Sequence, residues 1–115
     1  KDDAAEVIDK MVKADVIVLA TPVYFYTMSA QMKTLIDRSC ARYTEISNKD
    51  FYFIATMAET EANRIERTFE SLRGFTDCLE GPREKGTIAA IGVWQKGEVS
   101  DKPYMQQAYE MGKAI

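Results

Sequence analysis

Asp15-Val-Ile-Val-Leu-Ala-Thr-Pro-Val-Tyr-Phe-Tyr-Thr-Met-Ser-Ala-Gln-Met-Lys-Thr-Leu-Ile-Asp-Arg38 divides into a strand, an aromatic loop and an amphipathic helix. Val16, Ile17, Val18 and Leu19 form an unbroken apolar run. Such a run predicts a strand at 15–20 covered on both faces, as in a parallel sheet. Pro22 has no N–H and disfavours a helical Thr21, so regular structure is expected to stop there, leaving a loop at 21–28. Ser29 suits an N-cap. Met32, Leu35, Ile36, Cys40 and Tyr43 then recur at helical spacing and predict a helix over 29–43. The loop carries Tyr24, Phe25, Tyr26 and Met28. That apolar surface stands at the C-terminal end of a parallel strand, where open α/β sheets take their ligands.

The same grammar runs outward in both directions. Residues 1–13 predict a helix, with Ala4, Ile8, Met11 and Val12 on one face and Lys10 and Lys13 in the last turn. Phe51 to Thr56 predicts a second strand, introduced by the turn-like Ser47-Asn-Lys-Asp50. A helix follows from about Thr60, its buried face marked by Ile65, Phe69, Leu72 and Leu79. Gly81-Pro82 ends it. Thr87 to Val93 predicts a third strand. A loop to Ser100 precedes a last helix, capped by Ser100 or Asp101, with Pro103 near its first turn. Helices and strands alternate, so a parallel sheet with right-handed crossovers and helices on both faces is expected, in one domain spanning 1–115.

Composition narrows the chemistry. The 115 residues are 46% hydrophobic and 29% charged, with a net charge of −3, so nothing in the charge balance favours nucleic acid as a partner. No apolar run approaches the roughly 20 residues of a membrane span, and no signal-peptide pattern opens the chain. The two cysteines, Cys40 and Cys78, are far apart and predict neither a disulfide framework nor a metal site. Semi-buried, reduced thiols in a cytoplasmic protein are the expectation, with Cys40 as core filler. There is no histidine. Ser-His and Cys-His nucleophilic catalysis are therefore excluded within the chain, as is histidine metal ligation. If the protein is an enzyme, a bound cofactor is expected to do the chemistry.

Thr21-Pro-Val-Tyr24 followed by Lys33-Thr-Leu-Ile-Asp-Arg38 resembles the flavodoxin-like NAD(P)H-dependent FMN reductases, and especially their iron–sulfur flavoprotein branch. The likeness continues more loosely through Ala55-Thr-Met-Ala-Glu59 and 84–97. It implies a three-layer α/β/α fold in which the predicted strands are the third, fourth and fifth of the 2-1-3-4-5 order. The family's first strand and its FMN phosphate loop would lie upstream of Lys1, as would the cysteine cluster of the iron–sulfur branch. The resemblance implies FMN as cofactor and NAD(P)H as electron donor, with hydride transfer through the flavin to a small-molecule acceptor. It places Thr21, Pro22, Val23, Tyr24, Phe25 and Tyr26 along the flavin ring, with Thr56, Met57 and Ala58 bordering it. No side chain is implied as a catalytic acid or base. A flavodoxin-type electron carrier and a remnant fold that binds no flavin are the alternatives.

Residue types also allow plainer roles. Tyr24 and Phe25 would serve equally as core or interface aromatics, and Trp94 as a lid over a ligand or as an interface anchor. Lys33 and Asp37, four apart on a helix, would form an ordinary surface ion pair. A strand at 15–20 that is apolar on both faces, with no neighbour on one side, exposes a hydrogen-bonding edge. A homo-oligomer that buries this edge or the aromatic loop beside it is expected, the alternative being an N-terminal segment upstream of Lys1 that fills the gap.

Overall fold

A computed structural model describes residues 2–115. It contains α1 (Ala4–Lys13), β1 (Val16–Tyr24), β2 (Thr27–Met28), α2 (Ala30–Arg38), β3 (Asp50–Thr56), α3 (Glu66–Thr76), β4 (Arg83–Ala90) and α4 (Tyr104–Lys113), with short 3₁₀ turns between them. The sheet order is β2-β1-β3-β4. The three long strands are parallel, in the flavodoxin-like α/β arrangement. Lys1, the first residue of the predicted N-terminal helix, lies outside the described residues.

Side-chain alternation sorts the sheet into two unlike faces. On one, Ile17 pairs with Phe51, Leu19 with Phe53 and Thr21 with Ala55. These six are at most 7% exposed. They pack with Met11 of α1 and with Ile65, Phe69, Leu72 and Phe75 from the α3 segment. On the other face Val18, Tyr52 and Gly86 share one row, and Ala20, Ile54 and Ile88 the next. Helix α4 covers the β4 side of that face. A Cβ on Gly86 would stand 3.2 Å from Met111 Sδ and 3.3 Å from Tyr52 Cδ1, so only glycine allows the helix this close without displacement. At β1 the same face is open, and Val18 is 46% exposed. The expectation of a strand at 15–20 covered on both faces therefore fails: β1 buries one face only, and it is β3 that is covered on both.

Several boundaries differ from the sequence reading; the helix expected from about Thr60 to Gly81-Pro82, for one, is α only over Glu66–Thr76, with a separate 3₁₀ turn at 62–64 before it. Strand β1 does not stop at Pro22. Proline lacks only the N–H, and the parallel register with β3 runs through Pro22 opposite Thr56. The expected loop at 21–28 is instead a hairpin, with Val23 opposite Met28 and Tyr24 opposite Thr27. Helix α2 ends at Arg38 and tightens into 3₁₀ turns at 39–41 and 43–45. Tightening rotates the chain by more per residue than an α-helix does. Ser39 therefore points inward, 1% exposed, its Oγ donating to the Ile36 carbonyl at 2.7 Å. Cys40 is turned out to solvent and is not the core filler its stripe implied; Cys78 is exposed too, so neither thiol is semi-buried as expected. Strand β4 begins at Arg83 and ends at Ala90, shifted toward the N-terminus from 87–93. Neither Ser100 nor Asp101 caps α4 with its side chain, because 98–101 form a 3₁₀ turn of their own.

Helix α3 is tied to the sheet by Arg73. Its guanidinium donates to both oxygens of Glu84 on β4, at 2.8 Å each, and also reaches Glu66 and Glu70. The Arg73 hydrogen bonds hold the Glu84 carboxyl below the usual glutamate range. A carboxylate depressed in the folded state stabilises the fold above its unfolded pKa of about 4.3, and that contribution is lost as pH falls through the folded value. The melting temperature should therefore drop below about pH 4.3, and Glu84→Gln should flatten the drop. Thermal melts of the two proteins between neutral and acid pH check this; an equally steep fall in the variant would refute it.

Candidate functional site

The parallel strands β1, β3 and β4 end on the same side of the sheet, and a cavity of about 280 Å³ opens there. Pro22, Val23 and Tyr24 come from β1, Thr56 and Ala58 from the end of β3, and Val93, Trp94, Gln95 and Lys96 from the segment after β4. Backbone bonds hold these walls together. Met57 N–H donates to Ala90 O at 2.8 Å, Val93 N–H to Met57 O at 2.9 Å, and Gly92 N–H to Glu59 O at 3.0 Å. Gly92 takes a φ of +63° there, a conformation costly for other residues. Glu98 then fixes the loop, accepting from the Trp94 and Gln95 amides at 2.8 and 2.9 Å. Those amides, Gln95 first, hold its carboxyl below the usual range.

The rims are aromatic. Tyr24 is 59% exposed and Trp94 77%. Large flat apolar groups left facing water at a strand-end cavity are what a planar ligand would cover. Lys96 is the cavity's single cationic side chain. Two larger grooves, of about 600 and 580 Å³, lie between helices and away from the strand ends. One of them brings Cys40 and Cys78 to the same apolar lining.

The nine residues named from the sequence separate into three settings. Pro22, Val23, Tyr24, Thr56 and Ala58 line the cavity. Thr21 and Met57 are buried, 5% and 3% exposed, and Thr21 lines a neighbouring cavity of about 240 Å³ together with Pro22 and Thr56. Thr21 Oγ1 accepts the Ser29 amide at 2.9 Å, and Ser29 Oγ in turn accepts the Met32 amide at 3.3 Å, as expected of the N-cap of α2. One buried hydroxyl thus joins β1 to the start of α2 and fixes where the hairpin leaves the sheet. Phe25 and Tyr26 form the hairpin tip, outside the cavity lining. Both have positive φ, 51° and 63°. A two-residue hairpin turn needs this, and Asn-Gly is its usual occupant. Phe25 is 98% exposed. The Tyr26 ring lies under two guanidiniums, Arg64 at 5.6 Å and Arg67 at 5.8 Å.

Two large aromatics held left-handed cost stability, roughly 1 kcal/mol for each residue. Phe25→Asn removes no packing, so it should raise the unfolding free energy by about 0.5–1 kcal/mol. Urea denaturation checks this; a destabilised variant would show that the Phe25 ring contributes contacts of its own.

Gln95, Lys96 and Glu98 are the site residues that sequence reasoning missed. Polar residues in a Gly-containing loop carry no pattern that separates a wall from a connection. Among the described residues, no group of three or more Cys, Asp or Glu side chains is placed to hold a metal ion, and no helix is long and apolar enough to cross a membrane.

Comparison with known proteins gives these observations a frame. The family model described as NADPH-dependent FMN reductase matches residues 1–76. An iron–sulfur flavoprotein of Methanocaldococcus jannaschii is 55% identical over 38 residues, 33% of this chain and 20% of that protein. Another from Archaeoglobus fulgidus is 51% identical over 39 residues, covering 34% and 19%. The matched stretch thus spans about a fifth of either curated relative. Two solved structures share the fold. The Trp repressor binding protein of Bacillus subtilis superposes with a TM-score of 0.78 at 20% identity, covering 93% of this chain and 68% of its own. An NADPH-quinone reductase of P. pentosaceus gives 0.71 at 14%, covering 97% and 72%.

Proposed function

Because the chain belongs to the NADPH-dependent FMN reductase family, we propose that the strand-end cavity is its flavin-ring site and that the protein is a flavin-dependent NAD(P)H oxidoreductase. The observation that carries this reading is the pair of exposed rings, Tyr24 and Trp94, rimming one cavity at the ends of three parallel strands. The lining fits a flat, largely apolar ring with a polar edge. Tyr24 and Trp94 supply aromatic faces, and Pro22, Val23 and Val93 supply apolar surface. Ala58 N–H, free of any hydrogen bond among the described residues, is a backbone donor at the rim. Such a fixed donor favours negative charge on a ligand beside it.

Bound FMN would supply the two-electron chemistry, accepting hydride from NAD(P)H and passing electrons to a small-molecule acceptor such as a quinone. The chain's own part is to bind, orient and shield. No side chain is required to take or give a proton. The zipped segments at 57–59 and 90–93, with Glu98 holding the Trp94 and Gln95 amides, keep the rims in place.

The test is a titration of the full-length chain with FMN, followed by flavin fluorescence, and then addition of NADPH under anaerobic conditions. Quenching of the flavin and bleaching of its visible absorbance are expected. A protein that leaves added FMN free in solution overturns the reading. Flavin binding without bleaching by either nicotinamide would favour an electron carrier.

The fold also favours self-association. Strand β2 pairs with only Val23 and Tyr24 of β1, and among the described residues no strand flanks Val16 to Thr21 on that side. Val18 stands exposed beside this edge. A second copy covering it would satisfy both the backbone groups and the apolar surface. Sedimentation should find a dimer or larger species at micromolar concentration; a monomer there would refute it.

A further inference from the structure

At the hairpin tip, outside the cavity lining, two positive charges converge on one ring. Arg64 and Arg67 both stand over Tyr26, at 5.6 and 5.8 Å. Like charges side by side repel, and the fold gains little from placing them so. Nearby carboxylates neutralise only one. Arg64 Nε donates to Glu61 at 2.9 Å, which with the Glu61 charge raises its pKa. Glu66 and Glu70 are taken by Arg73, and Glu59 accepts the Thr60 and Glu61 amides. Arg67 is exposed, and among the described residues it has no carboxylate partner. Phe25, next to Tyr26 in the same turn, is 98% exposed, on a backbone strained to hold it there.

We propose that Tyr26, Arg64 and Arg67 form a phosphomonoester site that reads the 2′-phosphate of NADPH, with Phe25 offering a stacking face to the adenine. The proposal rests on the nicotinamide reading above and adds the means of choosing NADPH over NADH. The chemistry suits the groups. A phosphomonoester carries up to two negative charges and oxygens that match planar guanidinium donors. Tyr26 holds both guanidiniums at fixed distance, so less side-chain freedom is lost on binding. Tyr24 and Tyr26 flank Phe25 in one turn, so the cavity and the charged patch meet at the hairpin. A dinucleotide lying over that hairpin would reach both.

The experiment uses the full-length chain and two probes that contain no nicotinamide. Adenosine 2′,5′-bisphosphate should bind roughly tenfold more tightly than adenosine 5′-monophosphate by calorimetry, as a charged hydrogen-bonded contact implies. Arg67→Ala should bring that ratio close to one, and Arg67→Lys should restore part of it. The ratio of FMN to riboflavin affinity should be the same in Arg67→Ala as in the parent. An unchanged bisphosphate preference in Arg67→Ala overturns the proposal, as does no binding of the bisphosphate at millimolar concentration. A lowered FMN-to-riboflavin ratio also overturns it, because the patch would then be reading the flavin's phosphate. The parent's affinity for FMN reports separately on the flavin site.

Discussion

Phe53→Ala is expected to lower the unfolding free energy by about 3–5 kcal/mol, the cost of emptying a fully packed aromatic position. Phe53 is 0% exposed and sits at the middle of β3, between Leu19 of β1 and Thr87 of β4. Its ring belongs to the cluster with Leu72 and Phe69 of α3. A domain this size has roughly 5–15 kcal/mol in total, so one side chain accounts for a large share. Val18→Ala, on the open face of β1, should cost within about 0.5 kcal/mol in the monomer. Urea midpoints at constant m-value measure both. Equal costs for the two variants would contradict the division into a covered and an open face.

The second large effect concerns the cavity. Replacing both Tyr24 and Trp94 by alanine should weaken FMN binding by about 2–3 kcal/mol, roughly 30- to 150-fold in Kd. Tyr24→Ala alone should cost about 1 kcal/mol if ring stacking is lost. Both side chains are more than half exposed, so the fold should survive their removal. Phe25→Ala, outside the cavity lining, serves as the control and should leave FMN affinity unchanged. Fluorescence quenching reads all four proteins. If Phe25→Ala weakens FMN as much as the double variant does, the ring lies over the hairpin tip and not in the cavity.

Much of this was legible in the residues. The apolar run at 16–19, the Phe51–Thr56 strand and the stripe of Ile65, Phe69, Leu72 and Leu79 are strong periodic signals, and the structure buries that stripe. What escaped was local. Pro22 reads as a stop, yet only its N–H is missing, and β1 continues through it. The Phe-Tyr turn has none of the Asn or Gly that betrays a hairpin, because its backbone is strained and not relaxed. Cys40 lay on the right stripe until the helix tightened at Ser39, a change of pitch that periodicity cannot anticipate. The pairing of Arg64 and Arg67 over Tyr26 joins segments about forty residues apart, and only the folded chain brings them together.

The walls of the cavity are fastened main chain to main chain: Met57 to Ala90, Val93 to Met57, Gly92 to Glu59. Such bonds do not depend on which side chains the linked residues carry. Substitutions at Ala58, Val93 or Gln95 can therefore change what the cavity prefers to bind while its outline stays put. Substitution there can alter what the cavity holds in single steps, without first having to rebuild the scaffold. Two residues are exceptions: Gly92, whose φ of +63° resists replacement, and Glu98, whose carboxylate holds the Trp94 and Gln95 amides. A deep library that varies Ala58, Val93 and Gln95 should return many folded proteins of differing ligand preference, and few that tolerate a bulky residue at Gly92.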